Sequence, residues 1–483
     1  MIKRLAMLPI FTPHQNQAID QLAQKQLGDD GWELMNRAAK QAWQLAAKLW
    51  PQASHYYILV GSGNNGGDGY LFAQYAKQAG KQATVCQISV PKATLTQRAA
   101  KQISEHDITV AGFSAQTLLE SDIIVDALFG IGLNRPLSEP WNLITQAVNL
   151  AEKPVLALDC PSGLDCATGL AHPDTINASH TAAFICHKLG YYQLDGRDKC
   201  GQIHHCDLQL DPDLLHAFQP EAIAPSINEL SLPTRLHNSH KGSYGTALLI
   251  GGDYGMMGAV ALASQACLRA GAGLVKVISR TEHQLPLTQM QPELMVSNDS
   301  TLAEHLAQAT TIAIGPGLGQ SDWAWRIFEQ TCQTNKPLIL DADALNCLAH
   351  RPFHYHRWVL TPHPKEAARL LKQSVAQVQQ DRIAAAKALH KRYGGVIVLK
   401  GTGTLIYDGQ DMIVCRYGNS GMAKGGMGDV LTGLIAGLVA QGIALSLAAQ
   451  MAVIHHAYTA DKLKQVHGTA HYLPSDLLMN WRL

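Results

Sequence analysis

Short continuous apolar runs alternate with helix-period stretches twice along this chain, and that rhythm restricts the fold more than any other feature. In the first half the runs fall at residues 56–60, 83–90, 123–127 and 154–158, after helical patterns through 17–22 and 32–50. A run with no polar alternation must bury both of its faces, which is the mark of a parallel strand covered by helices. Residues 211–233 break the rhythm with Pro212, Pro220, Pro225 and Pro233, so a domain boundary is expected near residue 226. A second alternation follows, with strands expected at 246–250, 274–278, 311–314, 337–340, 358–360 and 396–399, and a hairpin pairing 404–407 with 412–415. At 483 residues the chain exceeds one compact core. The expectation is therefore two doubly wound α/β domains in tandem, residues 1–225 and 226–483.

Composition narrows the class. Hydrophobic residues make up 47% and charged residues 16%, enough apolar material for large cores, and the formal net charge is zero. Nothing there favours a nucleic-acid or membrane surface, so neither is an expected partner. Residues 1–9 are too short for a secretory leader. The ten cysteines show no CxxC or zinc spacing, and the pairs His204-His205 and His455-His456 lack ligand spacing. A reduced, cytoplasmic protein is the simplest account.

In the first half, Gly61-Ser62-Gly63-Asn64-Asn65-Gly66-Gly67-Asp68-Gly69 follows a strand and opens a helix, and Gly61, Gly63 and Gly66 satisfy GxGxxG. The acidic residue that a nicotinamide dehydrogenase places on the next strand is missing from Val85-Cys86-Gln87-Ile88. Two more loops stand at strand ends, one from Asp126 through Gly130, Ile131, Gly132, Leu133, Asn134, Arg135 and Pro136, the other Asp159-Cys160-Pro161-Ser162. Ligands in open α/β sheets sit beyond the carboxyl ends of the strands, where these loops can meet. Asn65, Asp126 and Ser162 offer hard oxygen ligands suited to an s-block cation, although each alone is an ordinary turn or cap residue.

Together GSGNNGGDG, VDALFGIGLNR and LDCPSGLD resemble the NAD(P)H-hydrate epimerases, as does the helix Leu34-Met35-Asn36-Arg37-Ala38. That resemblance implies a Rossmann-like three-layer sandwich and interconversion of the R and S forms of NADHX and NADPHX. It implies substrate contacts at Asn64, Asn65, Gly66, Gly67 and Asp68, at Gly130 to Pro136, and at Asp159. It further implies a potassium ion on Asn65, Asp126 and Ser162, with Asp159 as acid/base. Cys160 departs from the usual aliphatic residue of that family.

In the second half, Gly418 to Gly433 packs glycines before the single carboxylate Asp429, then turns apolar. A glycine loop entering a helix brings backbone N–H groups to an anion, and a carboxylate there makes sense as a base toward a hydroxyl receiving a phosphoryl group. Glycine loops also cap helices with no such role. No GxxxxGK[ST] is present. With His240-Lys241-Gly242, Gly315-Pro316-Gly317-Leu318-Gly319, Leu340-Asp341-Ala342-Asp343, Thr361-Pro362-His363-Pro364 and Lys400-Gly401-Thr402-Gly403-Thr404, this half resembles the ribokinase-like NAD(P)H-hydrate dehydratases.

The resemblance implies substrate contacts at Ala259, Gly319, His363 and Asp429, and nucleotide contacts at Lys400, Gly401, Thr402, Gly403, Thr404 and Gly428. Asp429 is the implied catalytic base, ADP the implied co-substrate (giving AMP and phosphate) and Mg2+ its usual companion. Met427 and Lys424 stand where many relatives have smaller or hydroxyl residues, and Asp341 and Asp343 could equally cap the helix that follows them. Both resemblances in one chain imply a bifunctional repair enzyme, isomerase and lyase, expected as a homo-oligomer. A small-molecule kinase shares the second fold and its glycine-loop aspartate, and a scaffold reading of the first half is opposed by its intact NNGGD, Asp126 and Asp159.

Overall fold

The structure is a computed structural model describing residues 7–133, 135–232 and 234–481. Part of the stretch weighed as a leader, Asn134 among the expected substrate contacts, and Pro233 near the expected boundary lie outside the described residues. Two compact units result, Pro9–Ala222 and a second made of the chain up to Leu8 together with Ile223 onward.

The first unit is built on seven parallel strands in the order Thr109–Ala111, Gln82–Gln87, His55–Val60, Ile123–Ala127, Val155–Leu158, His180–Phe184 and Gln202–Cys206. Along His55–Val60 the side chains divide by parity: Tyr56, Ile58 and Val60 enter one core with Ala42, Tyr70 and Phe72 from the helices Trp32–Leu49 and Asn64–Gln78. Tyr57 and Leu59 enter the other, with Leu118, Ile144 and Val148 from the helices Ala115–Glu120 and Trp141–Leu150. Side chains alternate along a strand, so a sheet covered on both faces needs an unbroken apolar run. Three strands of this sheet carry no clear apolar run: Thr109–Ala111 is exposed, and HTAAF and QIHHC carry histidines that break the apolar signal. A short parallel pair in the same unit joins Ile10 to His187 and Phe11 to Lys188.

In the second unit the parallel strands run Met295–Ser297, Leu274–Ile278, Thr246–Ile250, Thr311–Ile314, Leu338–Leu340, Trp358–Leu360 and Val396–Leu399. The antiparallel hairpin Leu405–Tyr407 and Met412–Val414 continues the sheet, and Ile223 pairs with Ile413. The helix Met427–Ala440 is buried almost throughout. It packs on Met257–Arg269 through Gly433 and Gly437, where a Cβ would stand 1.9 Å from the Ala263 carbonyl oxygen and 2.5 Å from that of Cys267. Only glycine permits that approach, which sets the glycine loop beside the opening turn of Met257–Arg269. Among the described residues no helix is long and apolar enough to cross a membrane.

Candidate active sites in the two units

The strand His55–Val60 ends at Gly61, where a Cβ would stand 1.8 Å from the Leu128 carbonyl oxygen; one on Gly66 would stand 2.0 Å from that of Gly61. The first turn of Asn64–Gln78 is thereby pressed onto the strand ends. Asn64, Asn65 and Asp68 face a cleft of about 600 Å³, a size usual for small-molecule sites. Gly130, Ile131, Gly132, Leu133, Arg135 and Asp159 line the same cleft. Gly66, Gly67 and Pro136 are not on its wall: Gly66 backs onto Gly61, and a Cβ on Gly67 would meet Met35 Cε at 2.6 Å.

Asp159 follows the strand Val155–Leu158 at φ +62°, a left-handed conformation that aspartate tolerates better than most residues. Its Oδ1 accepts from Lys188 Nζ at 2.5 Å and from the Phe184 N–H at 3.2 Å, and the Tyr191 hydroxyl donates to its carbonyl. Lys188 is fully buried; burial, the largest single effect, would depress it, but the charge and hydrogen bond of Asp159 together with Cys186 and Asp20 hold it above the usual lysine value. No local motif marks Lys188, which lies behind the cleft wall against Asp159, on a short strand that pairs with Leu8–Phe11.

Two more carboxyls line the cleft. Burial, then the charges of Asp159 and Asp20, raises Asp68 well above the carboxylate range. Asp20, on the helix Pro13–Leu27, is pushed up to about 7 by burial and Asp159, with Lys188 pulling the other way. The sequence reading passed over Asp20 as one polar residue in an amphipathic stretch.

Near the cleft, Asp126 accepts from Ser162 Oγ and from the Ser162 N–H, each at 2.7 Å, and from the Leu128 N–H at 3.2 Å. Burial still pushes its carboxyl up to about 6 against those bonds. Beside Gly130, both polar side-chain atoms of Asn65 are buried and have no hydrogen-bond partner among the described residues. A buried amide oxygen with no partner among the described residues offers a hard ligand of the kind a monovalent cation takes, which fits Asn65 as one of its holders.

Cys160 corrects the expectation of wholly reduced thiols, for it is bonded to Cys166 across the turn that holds Ser162. The hydrogen bonds Leu164 N–H to Pro161 and Gly169 N–H to Asp165 fold this segment back on itself, so a C-x5-C spacing closes without a CxxC. No other cysteine pair is bonded among the described residues.

In the second unit Asp429 lies in the first turn of Met427–Ala440, behind Gly426 at φ +95°. Burial and the neighbouring Asp341 push its carboxyl up to about 6 although Lys400 opposes them. Lys400 Nζ donates to Asp341 Oδ1 at 2.7 Å and lies 3.9 Å from Glu366 Oε2; a Cβ on Gly428 would be 3.4 Å from that ammonium. Lys400, Gly428 and Asp429 therefore stand together. Asp341 occupies a helix N-cap position but its side chain caps nothing: Thr361 and Thr432 donate to it at 2.8 Å each. Asp343 accepts from the Gly319 N–H at 2.8 Å, which ties Gly319 to the group of carboxylates around Asp429.

Ala259 lies beside the same loop, its Cβ 3.1 Å from where one on Gly317 would be. His363 caps the helix Pro364–Leu371, its Nδ1 accepting from Lys365 and Glu366, and burial lowers its pKa. Glu366, missed in the sequence, is pushed up to about 7 by burial, with Lys400 opposing. Under the Lys400–Thr404 turn, Arg382 donates to the carbonyls of Leu399, Lys400 and Gly403, leaving Gly401 and Thr402 exposed.

Residues 31–190 match a family model described as YjeF-related protein N-terminus, and residues 247–481 one described as NAD(P)H-hydrate dehydratase. The chain is 40% identical over 491 residues to the bifunctional NAD(P)H-hydrate repair enzyme Nnr of Coxiella burnetii, covering 99% of each chain. It is 41% identical to the enzyme of that name from Escherichia coli K12, covering 97% of this chain and 93% of the relative. A solved ribokinase-like superfamily protein of Enterococcus faecalis V583 matches with a TM-score of 0.51 at 30% identity, covering 54% of this chain and 94% of that one.

Proposed function

The chain belongs to the bifunctional NAD(P)H-hydrate repair enzymes, and from that premise we propose how its two sites divide the work. The activity is epimerisation of hydrated nicotinamide cofactors together with their dehydration to NAD(P)H. We assign epimerisation of the R and S forms to residues 1–225 and dehydration of the S form to residues 226–483.

In the first unit the reading rests on the Asp159–Lys188 ion pair at the wall of the cleft. The hydrated carbon C6 carries a hydroxyl and the ring nitrogen N1, so removing the hydroxyl proton opens the centre and returning it lets the ring close on either face. Lys188, donating to Asp159 Oδ1 at 2.5 Å, holds that carboxylate in place for the first of these steps. Asn65, Asp126 and Ser162 would hold a potassium ion, whose charge would offset the buried Asp126 and fix the loops around the cleft.

In the second unit the reading rests on Asp429 standing beside Lys400 and Gly428. Asp429 takes the proton of the C6 hydroxyl as a phosphoryl group from ADP is transferred to that oxygen. N–H groups of Gly425–Gly428 and the Lys400 ammonium hold the transferring group. Phosphate is a better leaving group than hydroxide. It departs as the N1 lone pair pushes in, and loss of a C5 proton restores the C5–C6 double bond. Ala259, Gly319 and His363 border the substrate side, and Lys400 to Thr404 with Gly428 the nucleotide side. Asp341 is engaged by Lys400 and two threonines and Asp343 by a backbone N–H, so these two do not form a ligand set for Mg2+. A homo-oligomer is the expected solution state.

Incubating the chain with mixed NADHX epimers and either ADP or ATP, while following recovery of NADH absorbance, tests the reading. Faster recovery with ADP, together with one free phosphate per NADH, is expected. A stable phosphoester product would instead mark a small-molecule kinase, and a clear ATP preference would remove the ADP assignment.

A further inference from the structure

The opening helix of the first unit turns polar residues inward. Asn16, Gln17, Asp20 and Gln24 recur at the spacing of one helix face, and all four line the cleft. The preceding strand Leu8–Phe11 pairs with His187–Lys188, which delivers this helix and the ammonium of Lys188 to one site. Asn16 is 3% exposed; its Nδ2 donates to Asp20 Oδ2 at 3.3 Å while its Oδ1 accepts from the Cys186 thiol at 2.9 Å. Asp20 is thus held from behind by a buried, oriented amide and faces the space that Asp159 borders.

Epimerisation through ring opening needs two proton positions. Resting on the assignment of Asp159 as acid/base, we propose that Asp20 is the second acid/base group of the epimerase site, serving the ring nitrogen while Asp159 serves the hydroxyl.

The steps balance without any added reactant. Ionised Asp159 takes the C6 hydroxyl proton; the second C–O bond forms, the C6–N1 bond breaks with its electron pair going to N1, and protonated Asp20 supplies N1 with a proton. Rotation about the C5–C6 bond presents the other face of the aldehyde. N1 adds back, its proton returns to Asp20, and Asp159 returns its own to the oxygen.

Starting protonation states follow from the surroundings. The groups around Asp20 are Asp159, Asp68, Lys188 and Cys186. Burial and Asp159 carry Asp20 up to about 7, while Cys186 is pushed to about 12 and stays a thiol. Of the three carboxyls in the site, Asp159 is paired with an ammonium while Asp20 and Asp68 are raised; Asp20, held by Asn16, makes with Asp159 the pattern of an acid/base couple.

The test uses the full chain and the pure R epimer, without nucleotide, scoring appearance of the S epimer. Asp20→Asn should lower kcat about 10²–10⁴-fold with KM little changed, the range for a lost proton-transfer group. Because the acid form is the active one, wild-type turnover should decline as pH rises through about 7, and that alkaline limb should vanish in Asp20→Asn. Asp20→Glu should retain the limb and part of the rate. Dehydration of the S form with ADP, measured in the same preparations, checks that the chain is folded. The proposal is overturned if Asp20→Asn turns over within a few-fold of wild type, if only KM rises with the limb intact, or if Asp20→Glu is lost as fully as Asp20→Asn. Asp159→Ala run alongside separates the two assignments: turnover surviving there but not in Asp20→Asn removes the role of Asp159 and leaves that of Asp20.

Discussion

Replacing Asp429 with asparagine should cost activity and return stability, and both magnitudes follow from its surroundings. Burial and Asp341 lift the carboxyl from 3.8 to about 6. Dehydration that needs the ionised form should fall as pH drops through about 6, to about a tenth of its plateau at a pH one unit below. Asp429→Asn should abolish that acid limb and reduce turnover by about 10²–10⁴-fold, or about 3–5 kcal/mol of barrier. Nucleotide affinity should hold within a few-fold, because backbone N–H groups and Lys400 carry it.

The stability sign is the reverse. A carboxyl whose folded pKa exceeds its unfolded value binds its proton more tightly when folded, so stability is lost as pH rises from 3.8 through about 6 and the penalty is complete at pH 7. The shift corresponds to an upper bound of about 3 kcal/mol. Asp429→Asn should therefore unfold a few degrees higher than wild type at pH 7 and show little gain near pH 4. Steady-state rates against pH, with thermal melts of both proteins at the two pH values, decide the matter. Undiminished turnover would refute the base, and a variant less stable than wild type at pH 7 would refute the electrostatic reasoning.

Asp159→Ala should stop enzymatic epimerisation while S-form dehydration continues, so NADH recovery from a racemic mixture halts after the S fraction; equal consumption of both epimers would remove the assignment. The same variant strands Lys188 in the interior, and a melt of the first unit should show a loss of about 3–5 kcal/mol. Exchanging potassium for tetramethylammonium should slow epimerisation in the wild type and leave dehydration unchanged, checked by paired rate measurements; indifference to the cation would discard the site at Asn65, Asp126 and Ser162. Gly61→Ala sets a methyl group against the Leu128 carbonyl, and denaturant titration should register about 1–3 kcal/mol of destabilisation.

Local pattern carried much of this protein. The run His55–Val60 announces a strand because the residues of both parities are apolar, and they are so because each faces a helix-covered core. The glycines at 61 and 66 are readable for a similar reason: a requirement on backbone spacing leaves its mark at the residue itself. The same holds for the loop before Asp429, where glycines, carboxylate and helix start are contiguous. The expected boundary near 226 came from prolines, whereas the two units divide between Ala222 and Ile223, inside a short strand that three residues could not announce.

Chain order therefore carried the kind of element at most positions and the loops bearing chemically apt side chains. Tertiary structure alone decided which charges meet. Lys188 lies 29 residues beyond Asp159, and Asp20 stands on a helix placed by a strand pairing of two residues from each side. Lys400 and Asp341 are 59 residues apart and joined at 2.7 Å. A carboxyl's protonation depends on burial and on neighbours within a few ångströms, and chain order specifies neither until the sheets are assembled.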